Sequence, residues 1–167
     1  RLKVGAPQPH LAKHDPRVEA YGCVDELNTA LGLARAVADQ NFIRDNLLVI
    51  QRDLVTLMGE LATAVEDLPR YLKDGHGLVT SGMTARIEAW VGEVEAAKVS
   101  SKGWATPGAN TVSAALDLAR TVCRRTERRA CALKEAGQLQ NTEIVVYLNR
   151  LSDLLWLFAR WVEARRG

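Results

Sequence analysis

The chain has 167 residues, 47% of them hydrophobic and 25% charged, the balance of a single globular domain with enough apolar mass for a core. A formal net charge of +2 excludes a globally basic nucleic-acid binder, so any anion site must be local. No apolar run reaches membrane-spanning length and no signal-peptide pattern is visible; Cys23, Cys123 and Cys131 lack CxxC spacing and fall in helical patterns, as expected of reduced thiols in the cytoplasm.

Residues 1–15 read as a loop, because Gly5, Pro7, Pro9 and Pro16 interrupt regular structure. The chain opens on Arg1 without methionine, and residues upstream are expected to be absent from it. A first helix is expected from Asp15-Pro16, a capping residue followed by a first-turn proline, to about Ala38. Val24, Leu27, Leu31 and Ala34 carry its apolar stripe; Asp25 lies near that stripe, so its carboxylate is expected to have a partner. The period of Leu47, Ile50, Leu54, Leu57 and Leu61 predicts a second helix from Asn41 to Val65. Glu66 to Val79 reads as a loop around Pro69, Gly75, His76 and Gly77.

A third helix is expected from Thr80 or Ser81 to Lys98, with Ile87, Trp90, Val91 and Val94 inward. Gly103, Pro107 and Gly108 then make a turn, and Asn110 is placed to cap a fourth helix over Thr111 to Ala136, ended by Gly137. A fifth runs from Asn141 or Thr142 to about Arg165. No strand period competes with these. The expectation is an all-α, five-helix bundle over residues 16–166, within one domain spanning 1–167.

The chemistry concentrates between Arg120 and Asp153. On the fourth helix Arg120, Arg124, Glu127, Arg128 and Cys131 recur at spacings of three and four, which places them along one face. On the fifth, Asn149, Asp153, Trp156 and Arg160 do the same, in a helix made largely apolar by Tyr147, Leu148, Leu151, Leu154, Leu155 and Phe158. Asn149 and Asp153 therefore stand where few exposed residues are expected. Guanidinium forks beside an amide and a carboxylate suit a polyphosphate with its metal ion: the forks match phosphate oxygens, and Asp153 can hold the metal or orient an arginine. The bland reading is a solvated face, with Glu127 in ordinary helical ion pairs to Arg124 or Arg128.

Two other bundle functions compete. A di-iron carboxylate site needs inward Glu-x-x-His pairs, but His10, His14 and His76 all fall in loops. A nucleic-acid binder is disfavoured because Glu127 interrupts the arginines and no aromatic stacking platform accompanies them.

The motifs RTVCRRTER and YLNRLSDLLWLFAR, with VEAYGCVDELNTALGLARA from Val18 to Ala36, resemble the PduO-type ATP:cob(I)alamin adenosyltransferases. The resemblance runs from Lys13 to Arg160 and implies a cobalamin adenosyltransferase-like, ferritin-like bundle. It implies transfer of the 5′-deoxyadenosyl group of ATP to cob(I)alamin, with Mg²⁺, in a homotrimer whose ATP lies between subunits. It further implies a flavin reductase and a B12-dependent enzyme as partners. By resemblance, Arg124, Glu127 and Arg128 are the catalytic residues and join Lys13 and Asn149 at ATP. Asp25, Trp104 and Arg120 serve cobalamin, with Asp25 and Arg120 paired across a subunit boundary. Trp104 falls where the family has the phenylalanine of a Phe-x-x-Pro-Gly-Gly loop, an aromatic that packs against the corrin and excludes its lower axial ligand. Ala109 replaces the second of those glycines and Asp117 a usual histidine. The family's Thr-Gly-Asp-x-Gly-x-Thr nucleotide loop has no match, so residues 1–15 read as its remnant. These departures keep one alternative open: a catalytically impaired paralogue that binds ATP or cobalamin as a carrier or regulator.

Overall fold

A computed structural model describes residues 11–98 and 105–165. Its elements are α1 (Pro16–Val37), α2 (Asn41–Ala62), a 3-10 turn (Val65–Asp67), α3 (Leu68–Lys73), α4 (Ser81–Ala96), α5 (Thr111–Glu135) and α6 (Glu143–Ala164). The all-α expectation holds, with five long helices and one short extra one. Local chemistry sets the ends. Asp15 caps α1 by accepting from the Arg17 N–H at 2.8 Å, and Pro16 occupies the first turn, where no intrahelical donor is needed. Asn110 and Ser113 cap α5 reciprocally, and Gly137, at φ +70°, lets the chain turn off its end.

Two expectations need correction here. The second helix stops at Ala62, and residues 66–79 contain α3. Pro69 reads as a breaker in sequence, yet it sits in the first turn of α3, where its missing N–H costs nothing.

Helix α1 packs on α2 and α5, and α6 packs on α5 and α4. The predicted stripes meet in the core: Val24, Leu27, Leu31, Leu47, Ile50, Leu54, Leu57, Leu61, Tyr147, Leu148 and Phe158 are all fully buried. Each such side chain removes apolar surface from water, worth about 1.5–3 kcal/mol apiece, and this burial rather than propensity holds the helices.

Polar ties lock the packing. The buried Arg17 guanidinium donates to the carbonyls of Leu61 and Thr63, both at 2.9 Å, and of Gln138 at 2.8 Å. It staples the start of α1 to the end of α2 and to the α5–α6 connection; desolvation lowers its pKa, with Asp15 and Glu66 opposing. Asp53 of α2 accepts from Arg86 of α4 at 2.7 and 2.6 Å and from the Tyr147 hydroxyl of α6 at 3.1 Å. Thr126 of α5 donates to the Cys23 carbonyl at 3.1 Å, which sets the register of α5 against α1. The antiparallel α5–α6 pair, tied by the Cys123 thiol on the Leu148 carbonyl at 3.2 Å, is the platform for the site.

Candidate active site

Five arginines of α5 stand on or beside the polar face, and the fold treats them differently. Arg125 forms an ion pair with Glu26 of α1, and Arg129 lies 3.5 Å from Glu19 of α1. Arg120 Nε donates to Asp117 Oδ1 at 3.1 Å. Arg124 and Arg128 are exposed and, among the described residues, make no ion pair or hydrogen bond. Two guanidiniums one helical turn apart are thus left with their donors available to an anion.

Glu127, which spacing alone allowed to pair with Arg124 or Arg128, instead accepts from Asn149 Nδ2 of α6 at 3.0 Å. The carboxylate therefore bridges the two helices and stands between the two free arginines in sequence. Asp153 pairs with Arg150 at 3.6 Å, and Arg150 also reaches Glu88 of α4 at 3.3 Å. The buried Cys123 thiol reports how close these charges are. Burial pushes its pKa well up; Glu127 and Asp153 add to the rise and Arg124 opposes it. A thiol so held stays neutral and is no nucleophile.

Asn149 and Asp153 are both exposed, contrary to the expectation that their places on α6 would be covered. Helical period fixes which residues share a face but not how far along the helix that face is covered. Toward the other end of the same seam Arg160 is buried against Asp117, 2.6 Å from its Oδ2. Asp25 is likewise exposed on α1 and makes no ion pair among the described residues; its stripe neighbours Val24 and Leu27 are buried while it points outward. It and Arg120 do not meet within the chain. Lys13 lies exposed in the turn before α1, with no contact to the arginine face. Trp104 falls outside the described residues.

A groove of about 600 Å³ opens between the end of α1 and the start of α5, lined by Leu33, Val37, Gly108, Asn110, Ala115 and Leu118. Leu33 is 52% and Leu118 53% exposed, an apolar surface beside the loop that follows Trp104. Among the described residues no three His, Cys, Asp or Glu side chains gather as a metal site. No described helix is long and apolar enough to cross a membrane.

Two features escaped sequence reasoning. The Asp117–Arg160 pair joins residues 43 apart, and the signal for it was a charge in the buried register of each helix. The Asp53–Arg86–Tyr147 network had a weaker signal, a carboxylate three residues after Ile50 in the apolar stripe of α2.

The helix bundle has known counterparts. The family model described as cobalamin adenosyltransferase matches residues 6–162. The chain is 37% identical over 159 residues to a corrinoid adenosyltransferase of Bacillus subtilis, covering 93% of this chain and 78% of that protein. It is also 37% identical to the corrinoid adenosyltransferase of Mycobacterium leprae, over 90% of this chain and 80% of the other. The backbone superposes with a TM-score of 0.83 on a variant PduO-type ATP:corrinoid adenosyltransferase from Lactobacillus reuteri complexed with cobalamin and ATP, 29% identical over 93% of this chain and 84% of that one. With the bundle and nearly the whole length in agreement, the chain belongs to the cobalamin adenosyltransferase family.

Proposed function

We infer that this protein transfers the 5′-deoxyadenosyl group of ATP to cob(I)alamin, yielding adenosylcobalamin and triphosphate. The observation that carries the reading is the isolation of Arg124 and Arg128: three other arginines of α5 are neutralised by carboxylates of the chain, and these two are not.

The reaction is a substitution at C5′. The cobalt of cob(I)alamin supplies the electron pair that forms the Co–C5′ bond, and the C5′–O bond breaks with its pair going to triphosphate. The nucleophile belongs to the substrate, so the protein contributes position and charge stabilisation. Negative charge grows on the leaving oxygens, and the free guanidinium forks of Arg124 and Arg128 serve it without first breaking an internal ion pair. Glu127, held by Asn149, keeps its charge between the two arginines; Asn149 also serves the nucleotide. Lys13 adds a phosphate contact from the turn before α1. Asp153 would hold a Mg²⁺ ion, which would supply charge neutralisation for the triphosphate, or would orient an arginine.

In this reading Trp104 covers the lower face of the corrin and excludes water, a task within reach of a large apolar ring with limited flexibility. Asp25 and Arg120 pair between copies in a homotrimer, with ATP bound at the boundary. The groove beside Leu33 and Leu118 is the apolar surface available for such contact. The working place is the cytoplasm, where a flavin reductase supplies the cob(I)alamin and a B12-dependent enzyme takes the product.

The test is anaerobic. The protein is mixed with ATP, Mg²⁺ and chemically reduced cobalamin, and adenosylcobalamin is followed by its absorption and light sensitivity. Stoichiometric adenosylcobalamin and triphosphate support the reading. Binding of ATP or cobalamin with neither product identifies the impaired paralogue, and triphosphate without adenosylcobalamin contradicts both.

A further inference from the structure

Asp117 is 3% exposed, and a carboxylate that deep must be matched by charge and hydrogen bonds. Its two oxygens are divided between two arginines: Oδ1 accepts from Arg120 Nε at 3.1 Å and Oδ2 from Arg160 Nη2 at 2.6 Å. Arg160, itself 5% exposed, also donates to Glu163 Oε1 at 3.1 Å, and its guanidinium stands 5.7 Å from the Trp156 ring centre. Two carboxylates and two guanidiniums thus close a neutral cluster between α5 and α6. Among the described residues α1, the other neighbour of α5, contributes no ion pair or hydrogen bond to Asp117.

The two arginines end differently. Arg160 is enclosed on all sides. Arg120 keeps 25% of its side chain exposed, and only its Nε is engaged. Its two terminal nitrogens have no partner among the described residues. A guanidinium anchored through Nε offers its terminal nitrogens from a restricted geometry, which lowers the ordering cost of whatever they bind.

We propose that Asp117 is the positioning residue for corrinoid binding by this protein: it anchors Arg120 through Nε and holds the terminal nitrogens outward, with buried Arg160, itself paired to Glu163, as its foundation. This rests on the reading of Arg120 as a corrinoid-site residue. Asp117 touches no substrate and acts through Arg120 alone, so its removal changes corrinoid affinity and leaves the Arg124–Arg128 phosphate site untouched.

The experiment measures equilibrium Kd values for cob(II)alamin in the presence of ATP, and for ATP, in the full chain and in Asp117→Asn, Arg120→Ala and the double variant, with a thermal melt of each. Asn keeps the shape and one acceptor but loses the charge. In Asp117→Asn the cob(II)alamin Kd rises about five- to tenfold and the ATP Kd stays within about twofold, the size expected for a weakened charged hydrogen bond. In the Arg120→Ala background the same substitution changes the cob(II)alamin Kd less than about twofold, since the residue it acts through is gone. Its effect on the melt persists there, because Arg160 still loses one of its two carboxylate partners. An unchanged cob(II)alamin Kd in Asp117→Asn overturns the proposal, as does a parallel rise for ATP or an additive effect in the double variant. No cob(II)alamin binding by the native chain overturns the adenosyltransferase reading along with it, a pattern distinct from native binding that Asp117→Asn leaves unchanged.

Discussion

Glu127 of α5 accepts a hydrogen bond from Asn149 of α6 at 3.0 Å, and this contact changes the meaning of the arginines beside it. With its carboxylate turned to an amide across the helix boundary, Glu127 makes no ion pair with Arg124 or Arg128. The face stays positive where an ordinary helix surface would be self-neutralised.

That relationship predicts the behaviour of Arg124. Arg124→Ala lowers kcat/KM for adenosyl transfer at least about tenfold, because a lost hydrogen bond to a charged group costs roughly 1.5–3 kcal/mol. Arg124→Lys recovers part of the loss, since the charge returns without the fork. The thermal midpoint of both variants stays near native, as Arg124 is exposed and holds nothing else together. Unchanged kinetics with ATP in the alanine variant would remove Arg124 from the site.

How much of this was legible in the sequence follows from what a period can encode. The stripes of α1, α2 and α6 were readable because each helix marks its own apolar side by its period, and Leu27, Leu54 and Leu148 all fall inside as spacing requires. The five arginines of α5, in contrast, look equivalent in the sequence. What separates Arg124 and Arg128 from Arg125 and Arg129 is the presence of Glu26 and Glu19 on a different helix. The resemblance singled out Arg124 and Arg128, which spacing alone does not. Asn149 was misjudged for the same reason: whether a face is covered depends on the neighbouring helix. The short α3 was missed because one turn of helix carries too little period to outweigh a proline.

Asp25 and Arg120 are expected to couple only between copies. Each alone, reversed in charge, weakens assembly or corrinoid binding, and the double reversal restores part of it. The structure makes the two single variants unequal. Arg120→Glu also sets a carboxylate against Asp117, 3.1 Å from Nε of the native arginine, so it is the more damaging and the double variant falls short of native. Sedimentation and corrinoid affinity in a double-mutant cycle check this, and a coupling energy near zero rejects the pair.

Tyr147 supplies a test of the fold away from the arginines. Its buried hydroxyl donates to Asp53 at 3.1 Å, and burial, with Asp53 next, raises its pKa well above the usual phenol value. Tyr147→Phe keeps the ring in the core and removes one hydrogen bond to a carboxylate that Arg86 still holds. The expected loss is about 1–3 kcal/mol, or roughly 2–10 °C in Tm for a chain of this size. A melt indistinguishable from native would mean that Arg86 alone satisfies Asp53.

Glu60 makes the stability of the bundle depend on pH. It is buried on α2, and its Oε2 accepts the Val79 N–H at 2.7 Å. Burial raises its pKa above the ordinary carboxylate value, while the Val79 N–H and the Asn141 amide pull it back. A raised value in the folded state means that the folded chain holds this proton to higher pH than the unfolded chain does. Between the two values the folded state binds more protons, so Glu60's contribution to stability falls as pH rises through that interval and levels off above the folded value. Glu60→Gln cannot ionise and keeps an oxygen for the Val79 N–H. The Tm of the variant minus that of the native protein therefore becomes more positive as pH rises from about 4 to about 7, the range that brackets a raised carboxyl. Other titrating groups are common to both proteins and cancel in the difference. A difference that is flat across the range, or that falls, would show that the buried carboxylate is already compensated as an ion by its hydrogen bonds.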